Sequence, residues 1–512
     1  MRHTHPRRPK ILVITPEITY LPKGIQANSD QVSAKAGGLA DVSASLVSAL
    51  YAMGADVHVA IPNYRRLFHR EEKTPDVFEK KRSLYRTRLS EERIHLAQDR
   101  VFFYRNRVYS GYSSECMKIS LAFQREVINN IIPEIQPDLI HCNDWMTGLI
   151  PAYARQMGIP SLFTVHNIHT QKTTMSEIEN DGIDAAFFWK NLYFEREPYN
   201  YEESRNTNYV DFLTSGIFAS HFINTVSPTF LQEIVNGQHG FIPAYIQREI
   251  ANKYHAGCAL GILNAPDVEE NPSTDKLLEA NFDEHNFTEG KRLNKLAFQK
   301  ATGLDVNPDA PLFFWPSRLD PIQKGPQLLA EILYTVIHEN WNLQPQFAFV
   351  ANGEYQQVFH SIAQQHGFQH LIAVLDFDEK MSHCAYAASD FILMPSRFEP
   401  CGLPQMVGPI YGSLPIVHDT GGLHDTVQHL DADHDTGNGF VFKFFDHVGL
   451  HWAINEAIKF YKLPVEVRNL QISRIMTESQ RAFNHLNTAN AYIQIYEKML
   501  ERPLVAWGDI AK

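Results

Sequence analysis

Short apolar runs that do not alternate with polar residues recur through both halves of this 512-residue chain, and they constrain its fold more than any other feature. Lys10–Thr15, Val57–Ile61 and Ser161–Val165 read this way in the first half. Phe347–Val350, Leu371–Leu375, Phe391–Met394 and Leu414–Val417 do so in the second, with further strand ends at Asp138–His141, Phe313–Pro316 and Gly439–Phe442. A strand covered on one face alternates, whereas a run that is apolar throughout is covered on both, as in a parallel sheet flanked by helices. The intervening stretches carry helical spacing: Leu39, Val42, Leu46, Leu50 and Met53 ahead of Gly54, then Leu328, Leu329, Ile332, Leu333, Val336 and Ile337. These patterns predict an α/β chain of two doubly wound, Rossmann-like domains, and its length also favours two cores over one.

Ligands of open α/β sheets bind outside the C-terminal ends of the strands. The polar residues just past each apolar run are therefore the candidate site. Pro395 closes one run and leaves Arg397 and Glu399 in the loop beyond it, and Gly421-Gly422 opens the helix that holds Asp425. A buried turn accounts for any one of these glycines, but it does not account for Arg397 and Glu399 at a strand end. Near the N-terminus A-K-A-G-G-L-A-D-V places Lys35, Gly37 and Gly38 at a helix start, where backbone N–H groups favour anions. H-C-N-D-W puts Asp144 and Trp145 past one strand, T-V-H-N puts His166 and Asn167 past the next, and R-L-D-P-I-Q-K-G puts Arg318 and Lys324 past another. Taken singly, each has a bland reading: a helix-entry turn, a packed tryptophan, a hydrogen-bonded histidine, a solvated basic loop.

Taken together the strings S-R-F-E-P-C-G-L, Y-G-S-L-P, T-G-G-L-H-D-T-V and K-A-G-G-L-A-D-V resemble the signatures of bacterial glycogen synthases and plant starch synthases. These are retaining glycosyltransferases that move glucose from a nucleotide diphosphate sugar to a growing glucan. The resemblance implies the GT-B arrangement, two facing domains with a C-terminal helix near Thr488–Leu500 crossing back to the first. It implies ADP-glucose as donor and an α-glucan as acceptor, with no cofactor and no metal. Lys35, Gly37, Gly38 and Asp41 would meet the sugar nucleotide, and His166 and Asn167 the donor glucose, with Asp144 as a sugar or acceptor contact. Arg318 and Lys324 would bind the diphosphate, with one residue more between them than the family spacing has. Glu399 would act on the transferring glucose, Phe377 would lie beside the adenine, and Cys401, Gly402, Leu403, Gly421 and Gly422 would line the donor pocket. Ala36, Asn143, Met146 and the His169-Thr170-Gln171-Lys172 continuation depart from the usual pattern. Val407 stands where related transferases carry a second carboxylate, so no covalent nucleophile is assigned.

The family expectation divides the chain into an acceptor-side domain, residues 1–258, and a nucleotide-sugar domain, residues 259–512. A net charge of -12 argues against nucleic acid as a partner, because phosphate recognition along a polymer needs clustered Lys and Arg. No apolar run has the length of a membrane span, and five cysteines scattered singly suggest no disulfide framework, so a cytoplasmic protein is expected. Asp431-Ala432-Asp433 has the spelling of a metal-binding pair but reads as a solvated turn. Two alternatives stay open: a same-fold retaining transferase with UDP-glucose or another acceptor, and a glucan- or nucleotide-binding paralogue without turnover. Residues 19–33, 64–107 and 175–209 receive no function.

Overall fold

The computed structural model describes residues 8–19, 21, 34–35, 38–68, 93–109 and 113–505. The chain divides into two compact units. Met1–Val226, Leu231–Ile262 and His485–Lys512 form the first, and Ser227–Phe230 with Leu263–Asn484 the second.

The first unit is built on β1 (Lys10–Ile14), β2 (Asp56–Pro62), β3 (Ile94–Ala97), β4 (Leu139–Asn143) and β5 (Ser161–Val165). The antiparallel ribbon β6 (Lys172–Thr174) and β7 (Tyr209–Asp211) follows, then β8 (Phe222–Thr225) and β9 (Ala259–Gly261). Its main sheet is parallel in the order β3-β2-β1-β4-β5-β8-β9. Chain order reverses between β1 and β4, so the loops leaving those two strands diverge and open a crevice at their C-terminal ends. Every residue of β4 and β5 is buried, including the polar His141, Asn143, Ser161 and Thr164, as a strand covered on both faces requires. Within 64–107 the structure adds β3 and the helix Arg100–Phe103, capped by Asp99 accepting from Val101 N. Elements of four residues are too short to register as a period. The aromatic stretch 175–209 holds the short helices Met175–Asn180, Ala185–Phe188 and Tyr201–Thr207, and the ribbon closes it at its base.

The last helix, His485–Leu500, packs in this same unit, on the helix Gly38–Ala52. It is held by more than apolar contact. Thr164 Oγ1 donates to Asn224 Oδ1 at 2.6 Å, which leaves that hydroxyl to accept from His141 Nε2 at 2.6 Å. His141 Nδ1 is then the acceptor for the Tyr496 hydroxyl at 2.7 Å, and Asn224 Nδ2 donates to the Tyr492 hydroxyl at 3.0 Å. Burial pushes the His141 imidazole down to about 3, so the ring is neutral and uses both nitrogens.

The second unit is a parallel sheet of β10 (Leu312–Trp315), β11 (Gln346–Val350), β12 (Ile372–Leu375), β13 (Phe391–Met394), β14 (Leu414–His418) and β15 (Phe440–Phe442), in the order β12-β11-β10-β13-β14-β15. The reversal lies between β10 and β13. Phe313 stacks between Phe347 and Phe391 at 5.0 and 5.1 Å, locking the three central strands. On the edge where the strands begin, Lys291 gives its ammonium to the carbonyls of Ala387, Ser389 and Tyr411, and Lys295 pairs with Asp390 at 2.6 Å.

Candidate active site

Nearly all the residues singled out by sequence leave the C-terminal ends of strands at or beside the two reversals. In the second unit Arg318 and Lys324 follow β10, Glu399 to Leu403 follow β13, and Gly421-Gly422 follow β14. The loops are tied to each other. Arg397 N donates to the Gln323 carbonyl at 2.7 Å, and His418 Nδ1 donates to the Ser396 carbonyl at 2.8 Å. The Glu399 side chain is almost wholly buried, and its Oε2 accepts from Lys324 Nζ at 2.5 Å and from Ser396 Oγ at 3.0 Å. Such a pair is oriented by its loops rather than by solvent.

Gly421 and Gly422 form the first turn of the helix Gly421–Thr426. The turn presses on the Glu399 loop: Gly422 N donates to the Glu399 carbonyl at 2.9 Å. A Cβ at Gly422 would stand 2.0 Å from the Cys401 carbonyl oxygen, and one at Gly421 2.1 Å from that of Glu399. Only glycine admits this approach. Gly422→Ala is expected to lower both melting temperature and activity, while Gly240→Ala, where a Cβ meets nothing within 4 Å, is expected to leave both unchanged; thermal melts beside an activity assay check this. Asp425 accepts from Ser227 Oγ at 2.5 Å, Thr229 Oγ1 at 2.6 Å and Thr229 N at 3.1 Å, so its carboxylate is fully used in structure.

Arg318 is exposed and has no ion pair or side-chain hydrogen bond among the described residues. The extra residue before Lys324 is taken up by a turn in which Ile322 N and Lys324 N bond to Asp320, and Ile322 projects into solvent. Phe377 is 57% exposed beyond β12, its N–H donating to Asn352 Oδ1 at 3.1 Å. Cys401 is buried and its thiol is pushed up to about 12, which makes it a packing residue and not a nucleophile. Gly402 takes a φ of +76° ahead of Leu403, which precedes the helix Pro404–Ile410.

In the first unit Lys35 Nζ pairs with Asp41 Oδ1 at 3.1 Å, and Thr19 Oγ1 donates to the same oxygen at 2.6 Å. Gly38 begins its helix as expected, while Gly37, Ala36 and nearly all of 19–33 lie outside the described residues. Asp144 follows β4 with φ +63°, a conformation a non-glycine residue holds only when its surroundings force it. The backbone N–H groups of Asn167, His166 and Trp145 stabilise its carboxylate, but burial outweighs them and pushes it up to about 7, with the nearby Glu17 adding to the rise. Its Oδ1 is buried and meets no partner among the described residues. A carboxyl whose folded pKa is raised stabilises the fold below its ordinary value near 3.8 and loses that contribution as pH rises toward 7. The melting temperature of the wild type, compared with that of Asp144→Asn, is therefore expected to fall between pH 4 and 7.

Asn143 Nδ2 donates to the Ile14 carbonyl at 3.2 Å, which turns its Oδ1 toward His166 and makes His166 Nε2 the donor at 2.9 Å. Burial pushes that imidazole down to about 3. It is a neutral hydrogen-bonding group, with Nδ1 left as acceptor. Asn167 is exposed, and Trp145 is buried against Phe212 and the edge of His169. Two residues escaped the sequence reading. Glu17, 2% exposed just past β1, accepts from the Tyr109 hydroxyl at 3.0 Å. The carboxylate was findable as a lone acid at the strand reversal, but nothing in the spacing marks Tyr109.

Sequence models of known families match both parts of the chain: the starch synthase catalytic domain over residues 10–245, and group 1 glycosyl transferases over residues 300–470. The glycogen synthase of Exiguobacterium sibiricum is 33% identical over 90% of this chain and 95% of its own, and that of Moorella thermoacetica is 32% identical over 96% and 97%. The chain belongs to the glycogen and starch synthase family. Among solved structures the catalytic domain of starch synthase IV from Arabidopsis thaliana, bound to ADP and acarbose, is similar with a TM-score of 0.75 and 26% identity over 97% of this chain and all of that one. Sucrose-phosphate synthase of Thermosynechococcus elongatus, at 17% identity and a TM-score of 0.56, shares the fold. The fold is thus GT-B-like, and this synthase is a glucosyltransferase of the glycogen synthase type. Asn143, one of the departures noted in the sequence, fixes the orientation of His166.

Proposed function

We propose that this synthase transfers glucose from ADP-glucose to the non-reducing end of an α-1,4-glucan with retention of configuration. The observation that carries the reading is the junction of three loops in the second unit: the Lys324–Glu399 pair, exposed Arg318 and the glycine turn of Gly421–Gly422 on the ends of adjacent strands. The bond between the glucose anomeric carbon and the diphosphate breaks with its electron pair going to ADP, the acceptor hydroxyl oxygen bonds to that carbon, and the hydroxyl proton passes to the departing diphosphate. Negative charge grows on the diphosphate and positive charge on the sugar. Arg318 grips phosphate oxygens as a fork, Lys324 adds a point charge, and Glu399 offsets the positive charge on the carbon. Phe377, largely exposed, offers its ring to a purine. In the first unit Lys35 and Asp41, with Gly37 and Gly38, serve the donor, neutral His166 bonds a glucose hydroxyl, and Asp144 with Asn167 holds sugar.

Among the described residues no group of three or more His, Cys, Asp or Glu is placed to hold one metal ion, and no helix is long and apolar enough to cross a membrane. Asp431 is engaged by His434 at 2.8 Å. The test is incubation with radiolabelled ADP-glucose or UDP-glucose, with and without glycogen, and counting of label in precipitated polymer. Label from ADP-glucose that requires glycogen is the expected result. Label from UDP-glucose alone would replace the donor, and binding of donor and glucan without label would favour a paralogue lacking turnover.

A further inference from the structure

Three neighbouring strands of the second sheet end in loops that are tied to one another. In the order β12-β11-β10 these loops carry Phe377, Asn352 and Arg318, each exposed and each two or three residues past its strand. Asn352 is the joint. Its side-chain Oδ1 accepts from Phe377 N at 3.1 Å and its carbonyl accepts from Leu319 N at 2.9 Å, so one residue braces both the loop of Phe377 and the loop of Arg318. Gly353, with φ +148°, presses on the same place: a Cβ there would stand 2.6 Å from the Leu319 carbonyl oxygen. Gln356 Nε2 adds a second tie to the β12 loop, donating to Asp376 Oδ1 at 2.9 Å.

That tie decides which end of the Asn352 amide is on offer. A peptide N–H can only donate, so the amide oxygen faces Phe377 and the two hydrogens of Nδ2 are turned elsewhere. Nδ2 has no hydrogen bond among the described residues and the side chain is exposed, which makes it a neutral donor aimed by its own oxygen. Neighbouring strands lie about 4.8 Å apart, so Asn352 leaves the middle one of three strand ends that together span about 10 Å. A nucleotide with its base on Phe377 and its diphosphate on Arg318 therefore passes its ribose over the end of β11. The charges there suit a neutral group. Glu354, exposed and without an ion pair among the described residues, disfavours a phosphate at this strand end, and Asp376 is taken by Gln356. The hydroxyl oxygens of a ribose accept readily from a neutral N–H.

We infer that Asn352 is a ribose-binding residue of the donor site, its Nδ2 donating to a ribose hydroxyl while its Oδ1 holds the Phe377 loop, an inference that rests on the reading of the chain as a nucleotide-sugar transferase. The base does not enter into it, because ADP and UDP carry the same ribose. The ribose also takes no part in the bond that breaks. A contact with it is made equally before and in the transition state, so its loss raises KM and leaves kcat.

The test is titration calorimetry of wild type, Asn352→Ala and Asn352→Ser with ADP, 2′-deoxy-ADP and 3′-deoxy-ADP, beside kinetics with ADP-glucose and thermal melts. The wild type is expected to bind one of the deoxy nucleotides roughly tenfold more weakly than ADP, and Asn352→Ala to bind ADP about tenfold more weakly than the wild type does. Asn352→Ala should then no longer tell that deoxy nucleotide from ADP. KM for ADP-glucose should rise by a similar factor, with kcat within about twofold of wild type. The ratio of the two affinities is the readout that a brace alone does not move: a side chain that only held the Phe377 loop would, on removal, weaken ADP and its deoxy forms alike. Discrimination kept at the wild-type value in Asn352→Ala overturns the inference, as does a wild type indifferent to both hydroxyls. The side chain is exposed, so melting temperatures should change little, and Asn352→Ser serves if the alanine variant is unstable. Absence of ADP binding by the wild type would overturn the proposed function and this inference together, whereas ADP bound with unchanged discrimination in the variants sinks the inference alone.

Discussion

Glu399→Gln is expected to lower turnover on glycogen by roughly a hundredfold or more, the scale for removing a preorganised charge that meets developing charge, while the affinity for ADP-glucose changes far less. The substitution keeps the side-chain shape, the hydrogen bond from Ser396 Oγ and the backbone contact of Gly422 N with the Glu399 carbonyl. It removes the negative partner of Lys324, whose side chain is itself only 12% exposed, so a fall in melting temperature should accompany the loss. Rate, donor affinity and melting temperature measured together give the answer. A variant that folds and turns over like wild type would take Glu399 off the list of acting residues. Parallel loss of stability and binding would make it a structural acid.

Arg318→Ala and Lys324→Ala should each lower turnover by about a hundredfold as well, but their effects on stability should differ. Arg318 is exposed without an ion pair among the described residues, so its loss should leave the melting temperature where it was. Lys324 balances a buried carboxylate, and removing one partner of a buried pair costs about 3–5 kcal/mol, because the other charge is left in a poorly solvated place. Adding Glu399→Gln to Lys324→Ala should then recover much of the lost stability without recovering activity. A double-mutant cycle of melting temperatures checks this. Equal destabilisation by both single substitutions would mean that Arg318 has a structural duty unseen in its surroundings.

The parallel strands were legible because apolar runs such as Phe391–Met394 and Leu414–Val417 have no polar face to show, and their order in the chain already placed Arg318, Lys324 and Glu399 on strand ends. What the runs do not encode is pairing. That Glu399 spends its charge on Lys324, 75 residues earlier, depends on β10 and β13 lying side by side, which follows from sheet order and not from any local signal. The Asp144 conformation was equally hidden, since a positive φ at a non-glycine residue is imposed by packing and leaves no mark in composition. Tyr109 reaches Glu17 across 92 residues and carries no motif around it. The aromatic segment 175–209 gave no functional signal, and its rings pack both on one another, as with Trp189 on Phe194 and Tyr201, and on neighbouring elements, as with Phe188 on Tyr153 and Tyr193 on Tyr245.

The tyrosines of the last helix have a bearing on how the molecule is made. Strands β4 and β8 emerge from the ribosome early, but His141 and Asn224 inside them meet their tyrosine partners only when Tyr496 and Tyr492 arrive, more than 250 residues later. Until then His141 Nδ1 and Asn224 Nδ2 lack their tyrosine partners, and the entire second sheet is synthesised in that interval. The second unit, whose main segment Leu263–Asn484 is nearly continuous in sequence, has most of what it needs first. The order of completion thus runs against the order of synthesis. The half of the chain that begins the protein is the half that waits for its end, and a nascent chain stalled before residue 485 carries an unfinished first sheet, exposed to whatever else in the cell pairs with apolar strands.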